Sequence, residues 1–90
     1  MRVALICIDK PNSLDVRMAN RPAHVEHLNT SGVVDLAGPF LDANGAMCGS
    51  MIVLSVDTMA DAETWVAEDA YTKAGLFASV DLREWKRVVG

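Results

Sequence analysis

At 90 residues and 9.7 kDa the chain has length for one domain, residues 1–90, because two independent cores need more chain. With 51% apolar residues and a mean hydropathy of +0.20 it is too hydrophobic for a disordered chain. The formal charge of −4, with eight Lys and Arg scattered along the chain, lacks the basic density that nucleic acid or an anionic membrane surface requires.

Residues 2–9, rich in Val, Ile and Leu and followed by Pro11-Asn12, predict a first strand. Their alternation, ending on Asp9, is not the continuous apolar stretch of a signal peptide. Asn12 or Ser13 then serves as the N-cap of a helix with Asp15 in its first turn, running to about Thr30 before Gly32. Pro22 falls inside that helix and predicts a kink or a restart, because its ring removes one backbone donor. Residues 33–41 predict a second strand, at a sheet edge because Gly38-Pro39 cannot continue central pairing. Asn44-Gly45 signals a turn, and residues 49–57 predict a third, strongly apolar strand. Thr58 with Asp61 resembles a capping box and opens a second helix through about Asp69. Residues 71–75 read as irregular and residues 77–88 as the last strand. No run approaches the roughly 18–20 apolar residues that span a bilayer. Cys7 and Cys48 fit no metal spacing and compel no disulfide, as expected of a protein in the reducing cytoplasm.

The order βαββαβ predicts an α+β fold: a ferredoxin-like sandwich with an antiparallel four-stranded sheet in the order 4-1-3-2 and both helices on one face. The first and third strands are then central. Val3, Leu5 and Cys7 oppose Ala4, Ile6 and Ile8, and Met51 and Val53 oppose Ile52, Leu54 and Val56, so both faces of the central strands are apolar. Two helices cover only one face. The other predicts a homodimer packed sheet to sheet, a dimeric α+β barrel.

Several short strings, in order across nearly the whole chain, carry a resemblance to a known family. They are Asp9, Pro11-Asn12-Ser13-Leu14, Arg17, Arg21-Pro22-Ala23-His24, Ala37-Gly38-Pro39, Gly49-Ser50, Asp69 with Tyr71, Gly75 and Lys86. On these the chain resembles the YciI-like proteins, small relatives of the dimeric α+β barrels that include muconolactone isomerase. The resemblance implies a ferredoxin-like fold, a sheet-to-sheet dimer and a His/Asp catalytic centre, with no metal and no organic cofactor. It implies isomerisation, or elimination of halide, on ring compounds in some relatives. Two departures stand out: Asp69-Ala70-Tyr71 replaces the common Asp-Pro-Tyr, leaving the backbone there less constrained, and the connection between strands two and three is short, which alters one pocket wall.

Imidazole exchanges protons near neutrality, which makes His24 the candidate acid/base. At about 100° per residue Leu14, Met18, Val25 and Leu28 form one helical stripe, with His24 at its margin and His27 further round toward solvent. Asp69 closes the second helix, where the macrodipole disfavours a carboxylate by about 0.3–1 kcal/mol, so it is tolerated for compensation or for function. Either Asp69 or Asp9 is placed to hold the His24 ring in one tautomer. Asp9 equally suits capping of the turn that follows it. Ser50, Arg21 and Asp9 are candidate substrate-binding residues, Ser50 through a hydrogen bond and Arg21 through a carboxylate contact. Tyr71 joins them through the resemblance. Arg17 is expected to pair with surface acids. His24 and His27 give an H-x-x-H pattern without further ligands near it, so no metal site is predicted. Trp65 and Trp85 are expected as core or interface anchors. Two functions from different classes remain: a cofactor-free acid/base enzyme acting on a small organic molecule, or a non-catalytic module that binds one.

Overall fold

The alternating residues at the start of the chain form β1 (Arg2–Asp9) of the computed structural model, which describes residues 1–90. It is followed by α1 (Leu14–Thr30), β2 (Val34–Leu41), β3 (Met47–Ser55), α2 (Met59–Glu68), α3 (Ala70–Lys73) and β4 (Phe77–Trp85). The sheet is antiparallel throughout, in the order β2-β3-β1-β4, the predicted ferredoxin-like arrangement. Pro39 lies on the edge strand β2, where its missing donor costs no central hydrogen bond. No helix is long and apolar enough to cross a membrane.

Register sorts the side chains of the central strands. Val3, Leu5 and Cys7 stand opposite Leu54, Ile52 and Ser50 on the face that the helices cover, and all six are buried. With Ala62 and Trp65 of α2 the five of them other than Ser50 make the core, and Leu28, Val80 and Leu82 pack against it. On the other face Ile8, Leu36, Met51 and Trp85 are each about 40% exposed, while Val53 is buried. Gly49 marks a close approach: a Cβ there would lie 2.5 Å from the Cys7 backbone carbonyl oxygen and 3.1 Å from the Phe40 ring.

Several boundaries differ from expectation. β3 starts at Met47, two residues early, because the loop of Asp42–Ala46 is closed tightly: the Asp42 carboxylate accepts from the Asn44 and Ala46 N–H groups at 2.8 and 3.0 Å. β4 ends at Trp85, where its partner Arg2 ends the ladder, so residues 86–88 are not strand. α1 passes through Pro22 without a restart; Pro22 is exposed, where solvent can satisfy the freed carbonyl. Ser13 occupies the N-cap position, but its hydroxyl donates to Pro11 O, and no side chain caps the helix. The stretch expected to be irregular contains α3, closed by Gly75 at φ +70°.

The largest correction concerns the orientation of α1. Leu14 and Met18 are 42% and 50% exposed, whereas Arg17 and His24 are the buried residues of the helix. The inward line runs through Arg17, His24 and Leu28, turned by about 80° from the Leu14–Met18–Val25 stripe. Polar groups face inward because other elements supply partners for them.

Candidate active site

His24 sits at the centre of the inward face of α1 rather than at its margin. Its Nδ1 lies 2.7 Å from Asp69 Oδ1, with both side chains buried. That contact leaves Nε2 as the ring nitrogen free for proton transfer. Asp69 ends α2 and at the same time caps α3: at φ −67°, ψ 135° its carboxylate also receives the Tyr71 N–H at 3.4 Å. The expected penalty at a helix C-terminus is therefore offset by the N-terminus of the next helix. The same angles are those that a residue preceding proline adopts, so Ala70 in place of proline leaves this backbone unchanged.

Asp9 does not compete for His24. It takes Arg17 in a two-point ion pair, Nε to Oδ2 at 2.8 Å and Nη2 to Oδ1 at 3.0 Å, and does not cap the turn after it. Arg17 Nη2 also donates to Ser50 Oγ at 2.9 Å. Arg17 is thus a buried member of the site, contrary to the surface role expected of it. Burial alone would lower its proton affinity, and the Asp9 hydrogen bonds and charge more than offset this, raising its pKa above the ordinary arginine value. The signal that identifies it is helical: Arg17 and His24 are seven residues apart, on one line of the helix.

Tyr71 completes the cluster. Its ring stacks on His24 with centroids 3.9 Å apart and planes at 17°, and the Arg17 guanidinium carbon lies 4.6 Å from its centre. Burial pushes the Tyr71 phenol above its ordinary pKa of 10.0, although the Arg17 and Arg21 charges pull it down. Cys7, behind the site on β1, is pushed up to about 12 by burial and then by the charge of Asp69.

These groups border a cavity of about 110 Å³ between α1, β2 and β3. Arg17, Arg21, His24, Ser50 and Tyr71 line it, with Pro39, Met47 and Ile52 among its apolar walls. Every predicted site residue except Asp9 and Asp69 borders the cavity directly, and those two hold Arg17 and His24 in place. The volume is somewhat below that of the roughly 150 Å³ cavity that admits benzene, which limits an occupant to about one small ring. A wider groove of about 430 Å³ lies at the far end of α1, beside His27, Trp65, Asp61 and Glu68, but it holds no buried acid/base pair. His27 is not the solvent-facing residue expected: its Nε2 lies 3.0 Å from the Trp65 carbonyl oxygen and its ring stacks on Trp65 at 4.4 Å. It ties α1 to α2. Lys86 is exposed beyond β4, and His, Cys, Asp and Glu side chains nowhere gather in a group of three suited to a metal ion.

The YCII-related domain matches residues 1–86. Protein YciI of Escherichia coli O6:H1 is 30% identical over 89 residues, covering 89% of this chain and 91% of its own length. An uncharacterized Haemophilus influenzae protein is 29% identical over 97 residues, covering 98% and 99%. Among solved structures, the 5-chloro-2-hydroxyhydroquinone dehydrochlorinase of Burkholderia phenoliruptrix AC1100, in complex with 2,5-dihydroxybenzoquinone, superposes with a TM-score of 0.89 at 32% identity, over 96% of this chain and 94% of that one. Rv0793 from Mycobacterium tuberculosis, at TM-score 0.64 and 11% identity over 99% and 100%, shares the fold. The match along residues 1–86, the identity to YciI and the common fold establish that the chain belongs to the YCII-related family.

Proposed function

We propose that this protein is a cofactor-independent enzyme that uses His24 as general acid/base, oriented by Asp69, to isomerise or eliminate from a small ring compound. The observation that carries the reading is the buried 2.7 Å His24–Asp69 contact on the wall of a one-ring cavity. In elimination, His24 Nε2 accepts a proton from the substrate. The bonding pair left behind enters the ring, and the leaving group departs with its own pair, as chloride would. In isomerisation the same proton returns to a different atom. Ser50 and Arg17 hold a substrate oxygen, and Asp9 keeps the Arg17 guanidinium in place. The similar dehydrochlorinase supports halide elimination from a hydroxylated ring as the first reaction to assay. The exposed apolar sheet face supports a homodimer joined through that face.

The test is chloride release from 5-chloro-2-hydroxyhydroquinone. His24→Ala is expected to lower kcat by about 10²–10⁴-fold with the fold intact. Asp69→Asn frees the wrong tautomer and should lower kcat with little change in KM. The double variant should lose much less than the product of the two single losses, because the residues act as one unit. Full activity in His24→Ala ends the catalytic reading. Binding of 2,5-dihydroxybenzoquinone without turnover of ring substrates supports the non-catalytic binding module instead.

A further inference from the structure

The hydroxyl of Tyr71 is fully buried and has no hydrogen-bond acceptor; the Arg17 guanidinium beside it can only donate. Buried hydroxyls without partners are rare because the lost hydration is not repaid. The ring cannot turn to relieve this. His24 stacks on it, Arg17 lies over it and the Phe77 edge meets it at 5.9 Å. Phenylalanine would make the same ring contacts without the desolvated oxygen, so packing does not account for the hydroxyl. The side chain borders the cavity, and so does Arg21, whose guanidinium forms no ion pair, unlike Arg17. A protonated phenol and an unpaired guanidinium on one small cavity both donate, and the partner they lack is an acceptor carrying negative charge.

We propose that Tyr71 and Arg21 bind an anionic oxygen attached to the ligand's ring, a phenolate or enolate, and so select ligands already ionised at that position. The proposal rests on the reading of the cavity as a ligand site and names the ionisation state of what enters. Tyr71 is a specificity residue: it fixes the ring by one oxygen while His24 faces another part of it. The apolar walls, Pro39 and Ile52 among them, accept the flat faces of the ring and leave its charge to the donors. A neutral ring of the same size would bury its ether or hydroxyl against Arg21 without neutralising it.

The probe is 4-nitrophenol, whose phenolate form is coloured, with 4-nitroanisole as the ring of similar size that cannot ionise. The wild-type protein should bind 4-nitrophenol as the phenolate and lower the pH at which the bound probe ionises. Tyr71→Phe should weaken its binding by about 10–100-fold, the range of one charge-assisted hydrogen bond. It should leave 4-nitroanisole binding unchanged. Its melting temperature should stay close to that of wild type, because the ring contacts with His24, Arg17 and Phe77 are kept. Arg21→Gln should weaken phenolate binding likewise. Binding is read without turnover, so failure of this proposal is distinguishable from failure of the catalytic reading, which chloride release tests. The proposal is overturned if the wild type does not bind the phenolate or prefers the ether. It is also overturned if Tyr71→Phe binds 4-nitrophenol as tightly as wild type, or if that variant melts several degrees lower.

Discussion

Cys7 shows how a single residue records its surroundings. The thiol is 1% exposed beneath the two carboxylates of the site, and its pKa rises from 9.0 to about 12. The native state then holds its proton to higher pH than the unfolded chain does. The associated stability is fully present below about pH 9 and is lost as pH rises toward 12. Tyr71, also raised above its ordinary value, acts in the same direction from about pH 10. Thermal melts across pH 7–11 should therefore fall in the alkaline limb, and Cys7→Ala should flatten that limb. An identical limb in wild type and variant would show that Cys7 stays out of the alkaline transition. Arg17 teaches the complementary lesson. It is buried only because Asp9 and Ser50 receive its donors, so its placement is a property of three residues on three elements.

At the level of the elements, the junction of α2 and α3 positions the site. Asp69 is held in an extended conformation between two helices, and Ala70 is the first residue of α3. Its N–H has no backbone acceptor, as expected at a helix start. Proline fits that position and prefers a preceding residue with these angles. Ala70→Pro should stabilise the protein by about 0.4–1 kcal/mol by restricting the unfolded chain. Denaturant titration measures this, and a His24–Asp69 contact unaltered in the variant should leave its activity intact. A loss of stability would mean that the Asp69 backbone moves between conformations. The departure from the common Asp-Pro-Tyr string is thus a change in rigidity of the unfolded chain and not in site geometry.

Taken as a whole molecule, the chain leaves an apolar sheet face open while the helical face holds the site. Ile8 and Met51 on the central strands, Leu36 on β2 and Trp85 on β4 all project there, each about 40% exposed. The expected role of Trp85 as an anchor fits this face, and Trp65 is the core anchor, 5% exposed. Sedimentation at micromolar concentration should give about twice the chain mass of 9.7 kDa. Met51→Glu, which puts a charge in the middle of the proposed interface, should shift the equilibrium to the monomer while retaining the helical-face core. A wild-type monomer with this face exposed to water would remove the case for a sheet-to-sheet dimer.

Local signals in the sequence were sufficient for the four strands, the two long helices and their order, but not for α3. Alternation in residues 2–9, the Thr58 cap, which accepts from Asp61 N at 3.2 Å, and the Asn44-Gly45 turn each act over a few residues, so each is visible in a short window. The two-faced character of the central strands likewise located them inside the sheet. The family strings singled out His24, Asp69, Ser50, Arg21, Tyr71 and Asp9, and the fold brings all six to one region. Which carboxylate meets which cation was not legible, since His24–Asp69 joins residues 45 positions apart and Arg17–Asp9, though only 8 apart, meets across the turn between β1 and α1. The rotation of α1 was misjudged for the same reason. Hydrophobic periodicity assigns the inward face to apolar residues, whereas here that face carries Arg17 and His24 because partners on β1, β3 and the α2–α3 junction neutralise and orient them.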